Sequence, residues 1–360
     1  PPPPPPPPPP PFPAEDGIRD LVLSLVGSEM CIRDSPSTGN VIINNDVSRS
    51  SVNAIYLLRE ANFTLAGNTY DDSYRALSLQ EVDSATITGL DLSTANIADR
   101  ALQMSTVTNS TISANNFSGM GGGYGIFISG GSGNVIDGNT ITDRGTAIVL
   151  NWFDNNTVSN NVLTDNQSAI AGWYTKHLST GNAVIDNDIS GSTRTGIYLF
   201  REDAPIVRGN VSQFDGTAIY IDPSSSDANG GFVTHNTITS CESKAIYLLR
   251  QQGVEVSENY MTGCIGDGLV LMGITDVRVY HNNIHSNEGW QVNSDEPVEL
   301  SYGNEGNFWG RDCVLDEILF IDGIDSNALD VIDSHPYAQS LIHISEPTRP
   351  PSTSRMTSSA

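Results

Sequence analysis

Three tyrosines recur in equivalent surroundings. Tyr198, Tyr220 and Tyr247 stand in the runs "GIYL", "AIYI" and "AIYL". In an extended strand successive side chains face opposite ways, so inward Ile and Leu leave each Tyr pointing outward. Charge follows each run: Arg201, Glu202 and Asp203, then Asp222, then Arg250. Tyr56 with Arg59, and Phe127, repeat the theme elsewhere, and Trp173, Tyr174, Lys176 and His177 lie one run earlier. Aromatic faces along a flat sheet suit sugar rings, and arginine grips carboxylates bidentately. The expectation is a polysaccharide partner, uronate-containing polymers among the candidates, held by Tyr198, Tyr220, Tyr247, Trp173, Tyr174, Lys176 and His177. The plain alternative is that outward Tyr is simply good strand chemistry.

Catalysis on such a polymer needs a base with carboxylate neutralisation, as in a lyase or epimerase, or paired carboxylates, as in a glycosidase. Asp222 between Arg201 and Arg250 is the best set available. Three further residues, His235, Glu258 and His281, fall 23 residues apart with His285 nearby. Stacked about 4.8 Å apart they would form a transition-metal set; otherwise they are exposed turn residues. No cofactor is required by any of these readings. Soft Cys or Met ligands do not gather there, which weakens a copper reading.

The spacing of these residues comes from an internal repeat. Asn45, Asn68, Asn115, Asn139, Asn161, Asn187, Asn210, Asn236, Asn259 and Asn282 each sit in an apolar-x-x-Asn-x-apolar pattern, 22 to 26 residues apart, with Leu90 in the one vacant slot. Between them recurs Ala or Gly, apolar, any residue, apolar. Short period-2 strands between small and polar turn residues are not helical repeats. One repeat is too small to bury its own apolar face, so repeats must stack. Stacking as parallel strands makes columns of Ile, Val and Leu, and a ladder of Asn at a turn. Asn also tolerates the left-handed backbone that such turns use. The pattern predicts an all-β solenoid of about eleven coils.

This repeat resembles the right-handed parallel β-helix family, within the superfamily that includes pectate lyases, over residues 40–310. The segment "GNFWG" and the Asp-rich stretch ending in "PY" resemble β-helix proteins related to the periplasmic copper-binding, nitrous-oxide-reductase-maturation family. The resemblance implies residues 36–298 as β-helix and 299–339 as a C-terminal cap, with Phe308 and Trp309 covering the last coil. Asp322, Asp325, Asp330 and Asp333 lack the spacing of an EF-hand loop and read as a solvated acidic loop before a calcium site. The superfamily's recognisable pectinase and epimerase signatures are missing. Three functions stay open: polysaccharide recognition, a polysaccharide-modifying enzyme, and a non-catalytic structural or adhesion module.

The termini read differently. Back-translated and reverse-complemented, residues 25–34 encode the peptide found at 340–349, and residues 14–20 encode that at 354–360 except Thr357. Segments 1–35 and 340–360 therefore resemble translated sequencing-adaptor DNA, and Pro1–Pro11 a poly-C tract, both expected to be disordered. The first repeat starts at once without an amphipathic cap, so the natural protein is expected to extend further N-terminally. The chain carries a net charge of −25, and 36–339 hold 13 Lys and Arg against 36 Asp and Glu. Such acidity argues against nucleic acid and anionic membrane as partners. No stretch is long and apolar enough to span a membrane. A monomer outside the cytoplasm is expected, whether extracellular, periplasmic or at the cell surface. Cys241 and Cys264 occupy equivalent positions in neighbouring repeats, close enough to bond, but read as small stacked core residues.

Overall fold

The structure, a computed structural model, describes residues 37–309 except 120, 173–177, 224–229, 297, 299 and 303–305. The adaptor-like ends, the Asp-rich stretch, and Trp173, Tyr174, Lys176 and His177 lie outside the described residues. Among the described residues every regular element is a short strand, and every strand pairing is parallel. Parallel neighbours cannot be joined by a tight hairpin. Here the return path is the rest of the same coil, so the chain climbs one rung per turn.

Three long sheets line the coils, and three two-stranded sheets accompany them: Ser37–Thr38 with Glu60–Ala61, Val41–Ile43 with Thr64–Ala66, and Ser179–Thr180 with Glu202–Asp203. A broad sheet stacks eleven strands in chain order, from Ile55–Leu58 to Val292–Ser294. A second stacks nine, from Thr86–Thr88 to Arg278–Tyr280. A third stacks four, from Val211–Gln213 to Asn283–His285, and isolated bridges continue it through earlier coils. The solenoid predicted from the repeat is thus observed, at the predicted size.

The interior is built from columns. Ile197 pairs with Ile219, Ile219 with Ile246 and Ile246 with Leu269, all fully buried. Each such side chain is worth about 1.5–3 kcal/mol on burial. The small residue that opens each broad strand also faces inward: a Cβ on Gly196 would lie 2.6 Å from Ile189 Cδ1 and 2.7 Å from the Ala218 carbonyl. That crowding keeps Gly196 bare, while the next two coils have room there only for the methyl groups of Ala218 and Ala245, both fully buried.

The asparagine ladder is continuous from Asn115 to Asn282. Each amide oxygen accepts the backbone N–H and the side-chain Nδ2 of the Asn one coil earlier, as Asn161 Oδ1 does from Asn139 at 2.9 and 3.0 Å. Each Nδ2 also donates to a carbonyl further down, so a buried amide is fully satisfied. Asn45 and Asn68 form a separate rung, and Leu90, in the vacant slot, still donates its N–H to Asn115 Oδ1 at 3.0 Å. The ladder runs on to Asn307, whose Oδ1 accepts from Asn282 at 2.9 Å, inside the segment expected to be a cap. Phe308 bridges to Asn283 there, and Trp309 is buried.

Two further corner ladders had no expectation attached. In one, Ser110, Asn134, Asn156 and Asn182 pass N–H-to-Oδ1 bonds from coil to coil, and Asn182 Nδ2 donates to the buried Glu202 at 2.7 Å. In the other, Arg144, Asn166, Ser192, Asp215, Cys241, Cys264 and Asn287 occupy successive rungs. Here the reading of the cysteines is corrected. Cys241 and Cys264 form a disulfide, with Cα atoms 4.3 Å apart. Parallel in-register stacking brings equivalent residues within bonding reach. A covalent bond replaces the amide rung.

Candidate functional site

The outward column of the broad sheet runs Tyr56, Ser78, Gln103, Phe127, Val149, Ala171, Tyr198, Tyr220, Tyr247, Val270 and Asn293. Tyr198, Tyr220 and Tyr247 are therefore in register on three consecutive coils, as the repeat implied. Their rings stack, with centroids 4.9 Å apart for the first pair and 4.7 Å for the second, the latter tilted by only 6°. This differs from a row of open aromatic faces. Rung spacing falls in the range of offset-stacked rings, so the middle ring has a neighbour on both faces and the stack offers edges and hydroxyls to solvent.

The Tyr198 and Tyr220 hydroxyls are held protonated, as donors. Burial, reinforced by the Asp222 carboxylate and the flanking tyrosines, pushes Tyr220 up to about 12. Tyr198 moves up for the same first two causes. At the far end of the strands Asp222, only 5% exposed, accepts from one guanidinium nitrogen, Arg250 Nη2, at 2.7 and 2.9 Å. That bond raises Arg250 above its ordinary value. Arg201 donates its backbone N–H to the Asp222 carbonyl, and its guanidinium lies 5.8 Å from the Phe200 ring centre. At the near end Lys244, in line with Thr195 and Thr217, places its ammonium 5.5 Å from the Tyr247 ring. Lys244 had not been singled out; its signal was its place three residues before a patch Tyr, as Arg250 stands three after.

The face thus combines three hydroxyl donors, two guanidinium groups, one ammonium and one neutralised carboxylate. It suits hydrogen bonding to hydroxyl and carboxylate groups. Elsewhere on the same sheet Arg100 covers Phe127 at 4.0 Å while reaching Asp99, which Arg75 also holds at 2.7 Å. Tyr56 donates to Gln80, and Arg59 pairs with Glu81.

His235, Glu258 and His281 stand on successive rungs, and each has positive φ, of 58°, 56° and 55°. They share that corner with Asn44, Gly67, Gly138 and Gly209, the residue before each ladder Asn. His235 Nε2 meets Glu258 Oε2 at 2.5 Å, and His281 lies edge-on to Tyr280. His285 packs against Tyr260 and Phe308, and burial lowers its pKa. Among the described residues no group of three His, Cys, Asp or Glu is placed to hold a metal ion.

A coil of three parallel sheets with polar corner ladders is the architecture of the right-handed β-helix, and the model of the right handed beta helix region matches residues 32–182. The model of the periplasmic copper-binding protein (NosD) matches residues 108–312, more than half of the chain, and the chain belongs to that family. No curated protein matches it. Among solved structures it is similar to the Dettilon tailspike protein (13% identity, 71% of this chain and 61% of that one, TM-score 0.43). It is also similar to a double mutant of the periplasmic alginate epimerase AlgG (14% identity, 79% and 76%, TM-score 0.47). A third is DFA-IIIase from Arthrobacter chlorophenolicus A6 (12% identity, 72% and 63%, TM-score 0.44). The chain spans 61% of the length of the tailspike.

The family's description implies copper, which favours Cys, Met and His donors. The described residues do not fit it. Cys241 and Cys264 are consumed by their disulfide, His235 is paired with Glu258, and Met104 and Met261 are sealed in the core. No step is assigned to copper.

Proposed function

We propose that this protein recognises an acidic polysaccharide on the broad-sheet face around Tyr198, Tyr220 and Tyr247. The observation that carries the reading is the stacked tyrosine column bordered by cations at both strand ends. Cations are scarce here, 13 over residues 36–339, yet Lys244, Arg201 and Arg250 border this one face. The tyrosine edges present hydroxyl donors at rung spacing, and the guanidinium groups add charge-assisted bonds to sugar carboxylates. The setting proposed is the cell envelope. The family's description as periplasmic supports it, and so does a disulfide, which persists in oxidising compartments.

The test is calorimetric titration of the full chain against a panel of neutral and uronate-containing polysaccharides. Binding of an acidic member, abolished by the triple change Tyr198→Ala, Tyr220→Ala, Tyr247→Ala with the thermal midpoint preserved, is the expected result. Undiminished affinity in that variant would remove the face from the proposal. New reducing ends or unsaturated uronate products would make the protein an enzyme, with Asp222, Arg201 and Arg250 the residues to vary next.

A further inference from the structure

The tyrosine face continues past Tyr247. Beside the tyrosines runs a second outward column, in which Thr195, Thr217 and Lys244 are in register. Ile246 pairs with Leu269 and Leu269 with Val292, so Asp267 and Trp290 follow Lys244 one and two rungs on. At the rung spacing Trp290 stands about 10 Å from Lys244 along the solenoid axis. The row from Lys244 to Trp290 lies wholly within described residues.

Lys244 and Asp267 carry opposite charges on neighbouring rungs, yet they do not pair. The ammonium meets the Ser243 hydroxyl at 3.4 Å and lies 5.5 Å from the Tyr247 ring. The carboxylate is turned the other way. Its Oδ1 accepts the backbone N–H of Trp290 at 2.8 Å, and its Oδ2 accepts from Asn293 Nδ2 at 3.0 Å. A carboxylate oxygen has two lone pairs, so each can still accept a hydroxyl. Trp290 itself is 37% exposed, and Thr195 and Thr217 in the same column show that the fold does not call for an indole there. Its loop is fixed. Asn287 Nδ2 donates to Gln291 Oε1 at 2.9 Å, Gln291 Nε2 donates back to the Asn287 carbonyl at 3.0 Å, and Gly289 N–H bonds to the Gly266 carbonyl at 3.1 Å. A fixed, exposed indole offers a sugar ring a large contact area at low entropic cost.

We infer that the ligand face extends to Trp290 and takes a neutral sugar next to an acidic one, with a carboxylate at Lys244, hydroxyls on Asp267 and Asn293, and a ring against Trp290. The inference rests on the proposed recognition of an acidic polysaccharide and adds which sugars it takes. Asp267 sets the discrimination, because a second uronate at its rung would bring like charges together. A heteropolysaccharide of uronate and neutral residues fits this row, and a pure polyuronate does not.

The experiment titrates the full chain with oligosaccharides of alternating galacturonate and rhamnose, and with oligogalacturonates of matched length. The wild type should prefer the alternating series about tenfold. Trp290→Ala should weaken that series about fivefold, and Trp290→Phe less. Asp267→Asn should shrink the preference to about twofold by admitting oligogalacturonate. Acrylamide quenching of wild-type fluorescence should fall on adding the alternating oligomer, and that protection should vanish in Trp290→Phe. The quenching reads the contact in the wild type, whatever Trp290→Ala does to folding. Equal wild-type affinity for the two series, an undiminished preference in Asp267→Asn, or quenching indifferent to ligand would overturn the inference. The tyrosine face would still stand if the triple tyrosine variant loses binding. Failure of the wild type to bind either series or any acidic polysaccharide would remove both.

Discussion

Asp215 accepts the backbone N–H of Ser192 at 2.5 Å, at a corner where Asn166 lies two rungs below and a disulfide on the rungs above. Its other oxygen takes the Ser212 hydroxyl. It is a carboxyl in an amide's position, fully buried, and burial pushes it up to about 7. Glu202, ending a neighbouring ladder against Asn182, is pushed up to about 8 for the same reason.

A raised carboxyl binds its proton more tightly in the folded state than in the unfolded one. Between the ordinary carboxylate range near pH 4 and the raised values, the native chain keeps protons that the unfolded chain has released. Stability is then fully present below about pH 4 and declines as pH rises through 7 to 8, by up to about 1.4 kcal/mol per pH unit for each group. Asp215→Asn supplies the amide used on other rungs and removes one of the two slopes. Denaturant melts across pH 4 to 8 should show the variant gaining on wild type as pH rises. Parallel curves would mean that Asp215 is not the group responsible.

The disulfide carries a second expectation. Cys241 and Cys264 close a loop of 23 residues, a size for which cross-linking restricts the unfolded chain by about 3 kcal/mol. The double change Cys241→Ser, Cys264→Ser should lower stability by about that amount without altering the sheet spectrum, since serine already occupies the same column at Ser192. Reductant should lower the wild-type midpoint toward that of the variant. A midpoint indifferent to reductant would show the bond to be redundant.

How far these features were legible in the sequence follows from how each is encoded. The ladder of Asn45 to Asn282 could be read because one residue type recurs at one spacing. The column holding Arg144, Asn166, Ser192, Asp215 and the cysteines could not. Its positions share a hydrogen-bond role but no residue type, and register alone reveals them. The outward direction of Tyr198, Tyr220 and Tyr247 followed from strand alternation. Their stacking did not, because it depends on ring rotamers that set neighbouring rings parallel and offset. Trp290 went unread because its column holds Thr195, Thr217, Lys244 and Asp267 before it. Those residues share no type, and register alone places the indole in line with them.

Glu258 tests the cost of that backbone. It holds φ of 56° at the corner where most other coils place Asn, Asp or Gly, the exceptions being Ala114, His235 and His281. Glutamate is poorly suited to the left-handed region, whereas Asn is several-fold enriched there. Its contact with His235 is exposed to solvent and adds little. Glu258→Asn should therefore stabilise the protein by about 1 kcal/mol, seen as a higher urea midpoint at unchanged slope. A lower midpoint would show that the His235 contact outweighs the strain.

Arg144 is a buried arginine that bonds across coils. Its guanidinium, 3% exposed, donates to the carbonyls of Phe117 at 3.0 Å, Ile97 at 3.1 Å and Ser118 at 3.2 Å, and so ties together three coils. Burial lowers its pKa, yet an arginine stays charged, so the carbonyl dipoles must stand in for lost hydration. Arg144→Met keeps the volume and strands three acceptors, each worth about 1–3 kcal/mol when left unmade, less the relief of no longer burying a charge. The net expectation is a loss of about 3 kcal/mol, partly recovered by Arg144→Lys, which restores a donor without the planar fork. Gly119 gives an independent check. A Cβ there would lie 2.7 Å from Arg144 Nη2, so Gly119→Ala should displace the same group. If both changes act through the guanidinium, the double variant Gly119→Ala, Arg144→Met will be less destabilised than the sum of the two. Strict additivity in urea melts would show that the methyl group strains the backbone itself, and that Arg144 is not what holds Gly119 bare.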